Sequence, residues 1–308
     1  MAQVHAFITG GGGFLANHLA RDLLGQGHRV TLLVRGGARE GLPQGAQVVR
    51  GDLLKGPRPL VPAKADVVYH LAALSNVGQS VADPSTTFKV NVLGTAHLLE
   101  EARTRRRPLR RFVLASTAQV YGPPFRGRLP EGHATLPRNP YSASKAAAES
   151  LALAYDGLYG IPVTALRLFN VYGPGQRPSF VIPSVLSQCL EGRSLKIGNP
   201  WPVRDFVFVE DAARLFRLAG LDRDRRREVV NVGTGKGVRV DRMAALAVRA
   251  TKCDLRPSVE RGRRRPNDFD RLVADPSKAR GLFAWRPLVG LEEGLSRTAA
   301  SMRAGSSA

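Results

Sequence analysis

The sequence predicts an α/β protein: a doubly wound parallel sheet with a smaller α+β substrate-binding lobe attached. Three observations predict it. Short apolar runs alternate with amphipathic segments from Val4 to about Tyr172, a glycine-rich turn joins the first run to the first amphipathic segment, and beyond Gly173 the alternation becomes irregular. Strands alternating with helices build parallel sheets covered on both faces, and strands buried on both faces read as near-continuous apolar runs.

The elements come in this order. Residues 4–9, VHAFIT, form a short apolar run that predicts the first buried strand. FLANHLARDLLGQG (14–27) predicts an amphipathic helix closed by glycine. RVTLLVR (29–35), AQVVRGDL (46–53) and ADVVYHLAA (65–73) predict three more strands, and TTFKVNVLGTAHLLEEARTR (86–105) has helical periodicity. RRFVLASTAQVYG (110–122) predicts another strand. A Pro/Gly-rich loop separates it from a helix that opens at PYSASK and continues through AAAESLALAYDGL, and VTALRLFNVYG (163–173) predicts a further strand.

Composition narrows the class. The chain has 308 residues, 43% hydrophobic and 23% charged, as in ordinary soluble globular proteins. It contains no apolar run of about 18 residues or more, so no membrane span is expected. MAQVHAFITG enters a strand pattern directly, and the expectation is cytoplasmic residence. Two cysteines and six histidines without ligand-like spacing predict neither a disulfide framework nor a metal site. The net charge of +21 comes from eight lysines and 38 arginines, concentrated in RTRRRPLRR (103–111), RDRRR (223–227) and RGRRR (261–265). Such clusters attract polyanions, but no nucleic-acid-binding module accompanies them. They read as decoration of helix ends and loops, and neither a nucleic acid nor a membrane is an expected partner.

The turn Thr9-Gly10-Gly11-Gly12-Gly13-Phe14-Leu15-Ala16 follows a strand and opens a helix. That context reads as a dinucleotide site, with phosphates against the positive end of the helix. Gly10 is expected to allow the tight turn and Gly13 the approach of the pyrophosphate. The second strand ends at Val34-Arg35, with Arg39 nearby and no acid before Glu40. An acid there holds a ribose hydroxyl and an arginine a ribose phosphate, so the sequence favours NADP(H), with NAD(H) as the alternative. Asp52 is placed to accept a hydrogen bond from the adenine amine. The domain prediction is a Rossmann-type unit over 1–172 with a returning segment near 204–233, and a smaller lobe over 173–203 and 234–308.

PYSASK places Tyr141 four residues before Lys145, one helical turn apart on one face. A lysine charge favours the phenolate, so the tyrosine can exchange a proton with an alcohol. A redox cofactor and a tuned acid/base in one chain point to alcohol–ketone chemistry.

Taken together, these residues resemble the extended short-chain dehydrogenases/reductases, in particular their sugar-nucleotide epimerases, dehydratases and reductases. The likeness runs from Thr9 to about Leu295. It is carried by TGGGGFLANHLA, GDL (51–53), HLAA (70–73), VGQSVADP (77–84), NVLGT (91–95), STAQVYG (116–122), YSASK, LFNVYGPGQ (168–176), RDFVFVED (204–211), NVGTG (231–235) and RPNDFDRLVADPSKARGLFAWRP (265–287). The resemblance implies Tyr141 as base, Lys145 as its tuner and Thr117 as the hydroxyl that bonds the reacting sugar oxygen. It implies cofactor contacts from Gly10, Gly13, Phe14, Leu15, Arg35, Asp52, Leu53, Leu71, Ala72, Ala73, Tyr141 and Lys145. Substrate contacts are implied for Ser75, Thr117, Asn170, Arg204 and Arg265, the arginines matching a nucleotide diphosphate. A homodimer through helices near 86–105 and 141–158 is also implied.

The resemblance leaves the reaction open. A 4,6-dehydratase needs an acid, or an acidic pair, directly after the threonine, where this chain has Ala118 and Gln119. A 4-epimerase and an NADPH-dependent 4-keto-sugar reductase need only the Thr–Tyr–Lys set. The expectation is the epimerase first and the reductase second. A non-catalytic dinucleotide- or RNA-binding module is a reading of a different class, and the retention of both Tyr141 and Lys145 speaks against it.

Overall fold

Seven strands form the larger sheet of this computed structural model, in the order β10-β6-β5-β4-β1-β2-β3. The structure describes residues 3–36, 41–55, 59–122, 127–192, 194–222, 227–260 and 269–305. The strands are β1 (His5–Thr9), β2 (Arg29–Val34), β3 (Gln47–Arg50), β4 (Val67–His70), β5 (Arg111–Thr117), β6 (Val163–Leu168) and β10 (Glu228–Val232), and the pairings from β3 through β6 are all parallel. Both β4 and β5 are buried along their whole length, as their unbroken apolar runs require. The chain builds outward from β1 through β2 to β3, then crosses back to β4 and builds the other way. The switch point therefore falls between β1 and β4, where ligands of doubly wound sheets bind.

The chain divides into two compact units. One comprises 1–122, 133–168 and 213–230; the other 123–132, 169–212 and 231–308. In the first, helices α1 (Phe14–Gly25), α2 (Val77–Ala82), α3 (Pro84–Phe88), α4 (Gly94–Thr104) and α5 (Pro140–Tyr159) accompany the sheet. One apolar core joins Phe7, Leu33, Val68, Leu98, Phe112, Leu114, Ala148 and Val163. The periodicity over 86–105 is not one α-helix, because a π-helical turn at Lys89–Leu93 separates α3 from α4. The extra residue per turn turns Asn91 inward, and single π-turns of this kind recur at functional sites.

In the second unit, the run 163–173 splits after Leu168, and β7 (Asn170–Tyr172) pairs with β9 (Val203–Phe208) in a separate sheet. There β9 pairs also with β11 (Gly237–Arg239) and β13 (Arg271–Leu272). The return to the large sheet is made by β10, at the end of the 204–233 segment, while β9 at its start belongs to the second sheet. Between β7 and β9 run α6 (Val181–Glu191) and a short β8 (Leu195–Ile197), and between β9 and β10 runs α7 (Val209–Leu221). After β11 come α8 (Val240–Thr251), β12 (Pro257–Val259) paired with β8, α9 (Ser277–Phe283) and α10 (Leu291–Gly305). Helices α6, α8 and α10 enclose a core of Ile182, Leu186, Met243, Ala247 and Leu295. Asp205 organises the loop after β10 by accepting from Thr234 N, Gly235 N and Ala274 N at 2.8, 2.8 and 3.1 Å. Among the described residues, no helix is long and apolar enough to cross a membrane.

Candidate active site

The site is built on the ends of β1, β4 and β5. Thr9 and His70 are register partners at the ends of β1 and β4. The Thr9 hydroxyl lies 2.7 Å from Nδ1 of His70 and accepts from Ala72 N at 3.2 Å, which ties the glycine turn to the segment after β4. Gly10 comes next with φ +71, and a Cβ on it would meet the Ala72 backbone at 2.9 Å, so glycine is required twice over. A Cβ on Gly11 would stand 2.7 Å from Leu32 Cβ, and one on Gly13 would stand 2.9 Å from Gly10 O. Only Gly12 of the four has open space around it. Gly13 N donates to Gly10 O at 2.8 Å, which closes the turn just before α1, and Gly12 stands at its open side.

Helix α1 then starts at Phe14 with no side chain capping its first turn and no acid in it. Its free N–H groups and positive end suit a pyrophosphate. The turn therefore fits the dinucleotide that its sequence implies.

The proton-handling end is set by how α5 begins. Asn139 and Ser142 form a reciprocal capping box, with Ser142 N donating to Asn139 Oδ1 at 2.8 Å and Asn139 N to Ser142 Oγ at 3.2 Å. Pro140 occupies the first turn and Gly160, in the left-handed region, closes the helix. A cap of this kind contributes about 1 kcal/mol, and here it fixes the turn that carries Tyr141. Tyr141 N also donates to Ser80 Oγ of α2 at 3.2 Å.

Thr117 ends β5, where its hydroxyl accepts from Gln119 N at 3.2 Å and acts on the Tyr141 phenol. Tyr141 and Lys145 are both buried. Burial raises the phenol above its ordinary value, and the Thr117 hydrogen bond pulls it back. Lys145 is lowered to about 8 by burial, against the opposing pull of the Glu149 carboxylate. The local spacing alone makes the lysine the agent that favours the phenolate. In this structure Thr117 acts on the phenol in the same direction, and Lys145, lowered only to about 8, is still largely charged near neutral pH.

A second set of residues, not legible as functional from the sequence, supports this pair. Asn91, on the π-helical turn, accepts from Leu74 N at 2.8 Å and donates to Leu74 O at 3.1 Å and to Ser144 Oγ at 2.9 Å. Ser144 donates to Tyr141 O at 2.8 Å, so the loop after β4 and the first turn of α5 are held by one amide. His70 is fully buried, with Nε2 3.0 Å from Thr95 Oγ1, and burial lowers it to about 3. Deeper along α5, Glu149 takes Arg167 of β6 through Nε and Nη2, at 3.2 and 2.5 Å. The Arg167 guanidinium also lies 4.7 Å from the Tyr121 ring centroid. Removing one partner of a buried pair like this costs about 3–5 kcal/mol. The one-dimensional signal was available for Glu149, four residues after Lys145; for Asn91 it was not, since a π-turn has no periodicity of its own.

The other expected residues are distributed over both units. Leu71, Ala72 and Ala73 come directly after β4, partly buried, and Ser75 is exposed beyond them. Asp52 is partly buried, with Oδ1 accepting from Leu54 N at 2.8 Å, and Leu53 is buried, with its carbonyl 2.7 Å from His97 Nδ1. Arg35 is exposed directly after β2. In the second unit, Asn170 begins β7 opposite Phe206, and Arg204 is buried on β9, where Nη1 donates to Val203 O at 3.0 Å. Arg265, Arg39 and Glu40 lie outside the described residues, as do most of the 223–227 and all of the 261–265 clusters.

The 103–111 cluster is described, and five of its six arginines have internal partners, Arg106 being exposed. Arg103 pairs with Glu100, Arg105 donates to the carbonyls of Val61, Pro62, Ala63 and Ala65, Arg107 and Arg110 meet Asp66, and Arg111 is buried against Asp222. This run works as a brace at the start of β5.

The family model described as GDP-mannose 4,6 dehydratase matches residues 7–298. A dTDP-glucose 4,6-dehydratase of Streptomyces griseus is 33% identical over 310 residues, covering 96% of this chain and 93% of that protein. The crystal structure of a UDP-glucose 4-epimerase from Thermotoga maritima with UDP-glucose is similar at a TM-score of 0.89 and 29% identity, covering 98% of this chain and 99% of that one. A UDP-glucose 4-epimerase of Thermus thermophilus, in complex with NAD, is similar at a TM-score of 0.85 and 32% identity, covering 97% of this chain and 99% of that one.

Proposed function

The chain belongs to the GDP-mannose 4,6-dehydratase family, the sugar-nucleotide epimerases and dehydratases among the extended short-chain dehydrogenases/reductases, and we propose that within it this protein is a nucleotide-sugar 4-epimerase. The observation that carries this reading is the pair of residues directly after Thr117. Ala118 is buried and apolar, and the Gln119 carboxamide accepts from the Asn139 side chain at 3.2 Å, on the cap of α5. A dehydratase must move a second proton and protonate a departing hydroxyl at this place. Alanine moves none, and a carboxamide engaged with the cap is no substitute for a carboxylic acid.

In this reading Tyr141 takes the proton of the sugar's 4-hydroxyl while Thr117 orients that oxygen, and Tyr141 returns the proton after the keto sugar has turned over. A bound dinucleotide would supply the reversible hydride chemistry at that same carbon. Lys145 supplies positive charge beneath the phenol. Gly10, Gly13 and the first turn of α1, with Gly12 open beside them, would hold the pyrophosphate, and Leu71 to Ala73 would wall the same crevice. Asn170 and Arg204 are assigned to the nucleotide diphosphate.

The cofactor is proposed to be NAD, as named for the Thermus thermophilus relative. The NADP(H) preference inferred from Arg35 has no support in the comparisons, and it survives only as part of the second reading, an NADPH-dependent 4-keto-sugar reductase. Leu158 and Tyr159 are exposed at the end of α5, which packs on α4, and this face is proposed as the one that pairs two copies.

The test is product analysis. Purified protein with UDP-glucose and NAD should yield UDP-galactose with unchanged mass. A product lighter by one water marks a dehydratase, and turnover of a 4-keto sugar only with added NADPH marks the reductase.

A further inference from the structure

We propose that Glu149, clamped by Arg167, is the positioning residue that keeps Lys145 charged beneath Tyr141. The proposal rests on the reading of Tyr141 as the base and extends its machinery by one more turn of helix.

Tyr141, Lys145 and Glu149 stand at i, i+4 and i+8 of α5, so they occupy one face of the helix, and all three are buried. An ammonium in such a place loses its proton unless a counter-charge offsets the lost hydration. The elements that pack on α5 leave one candidate, since on α4 the Glu100 carboxylate is engaged by Arg103 and Tyr155 and that of Glu101 by Leu60 N and Val61 N. His70 of β4 is neutral, with both ring nitrogens engaged by Thr9 and Thr95. Thr117 of β5, Ser80 of α2 and Asn91 of the π-helical turn carry no charge. Arg167 of β6 is a cation whose guanidinium is engaged with Glu149. On α5 itself, Tyr141 is the group to be ionised, and Glu149 is the anion that raises Lys145.

Arg167 does two things for this carboxylate. Its two-pronged contact holds the Glu149 side chain in one rotamer, and its guanidinium sets an opposite charge directly on that carboxylate. The guanidinium is braced in turn by the buried Tyr121 ring. The column from Tyr121 through Arg167, Glu149 and Lys145 to Tyr141 thus alternates cation and anion toward the reacting oxygen.

The experiment reads Lys145 directly. Carbon-13 at the ε position of lysine reports each side chain's titration by NMR, and the spectrum of Lys145→Met assigns the Lys145 signal among the eight lysines. In Glu149→Gln the Lys145 midpoint is expected to fall by about one pH unit or more, a tenfold loss of charged lysine at a fixed pH above it. Glu149→Asp, which keeps the charge, should recover most of that fall.

The direction separates this role from a merely structural one. Loosening of the core would hydrate Lys145 and move its midpoint up toward the ordinary lysine value, and an unchanged or raised midpoint in folded Glu149→Gln overturns the proposal. Should Glu149→Gln fail to fold with Arg167 left unpaired, Glu149→Gln/Arg167→Met is compared with Arg167→Met, so that the two differ only in the Glu149 charge and the same fall is expected, an unchanged or raised midpoint again overturning the proposal. Failure of the base assignment is read separately, as retained turnover of UDP-glucose in Tyr141→Phe, a measurement that the lysine titration does not enter.

Discussion

The hydrogen bond between Thr9 and His70, 2.7 Å long, runs in one direction. Thr95 spends its own proton on Asn91 O at 2.6 Å, so it can only accept from His70 Nε2. The imidazole therefore carries its proton on Nε2, and Nδ1 accepts from the Thr9 hydroxyl. One neutral ring fixes the first residue of the glycine turn to the end of β4 and to α4.

This ring makes stability depend on pH. His70 is lowered by burial from 6.5 to about 3 in the folded chain. Below about 6.5 the unfolded chain binds a proton that the folded chain refuses, so stability is present in full above that value and declines as pH falls toward 3. The loss amounts to about a few kcal/mol at its lower end. Urea unfolding between pH 7 and pH 4 should show a steeper decline for the natural chain than for His70→Gln, and parallel declines would remove His70 from the account.

Tyr141→Phe is expected to lower turnover by about a hundredfold or more while leaving dinucleotide binding nearly intact. Thr117→Val keeps the phenol but removes the bond that lowers it, so the acid limb of the pH profile should move to higher pH. Turnover that persists in Tyr141→Phe, or an acid limb that stays in place in Thr117→Val, counts against the respective role.

Two neighbouring glycines should respond in opposite ways. Gly13→Ala drives a Cβ to 2.9 Å from Gly10 O and should destabilise the chain by about 1–3 kcal/mol in thermal or urea unfolding. Gly12→Ala has room within the protein, so it should fold normally and weaken dinucleotide binding at least tenfold by filling the approach to the pyrophosphate. Normal dinucleotide affinity in Gly12→Ala would place the phosphates elsewhere.

Arg35 offers a test of cofactor choice. Mass spectrometry of the nucleotide released from freshly purified protein should find NAD in its oxidised form. Arg35→Ala should change NAD affinity by no more than about twofold, because an exposed side chain reaching a ribose phosphate has nothing to hold in NAD. Recovery of NADP instead, with a large loss of NADP affinity in Arg35→Ala, would favour the reductase.

Much of this protein was legible in one dimension. The runs VHAFIT, ADVVYHLAA and RRFVLASTAQVYG each contain a buried strand, but the last stops at Thr117, five residues short of its expected end, because Ala118–Val120 form a 3-10 turn capped by the Thr117 side chain. The glycine turn and the Tyr141–Lys145 pair were equally readable, because both depend on fixed local spacing: a backbone turn and one turn of helix.

Long-range burial, and the choice of which residues meet, were settled by the assembled fold. The 163–173 run divides between two sheets because Phe169 N bonds Val232 O and Asn170 turns to face Phe206, partners far along the chain. The π-turn at Asn91 exists because Leu74 and Ser144 claim its amide. The neutrality of His70, the lowered proton affinity of Lys145 and the Glu149–Arg167 clamp arise from exclusion of water around the ends of β4, β5 and β6. Local spacing can place a titratable group on a helix face, but its charge is set by the dielectric and the partners that tertiary packing puts around it.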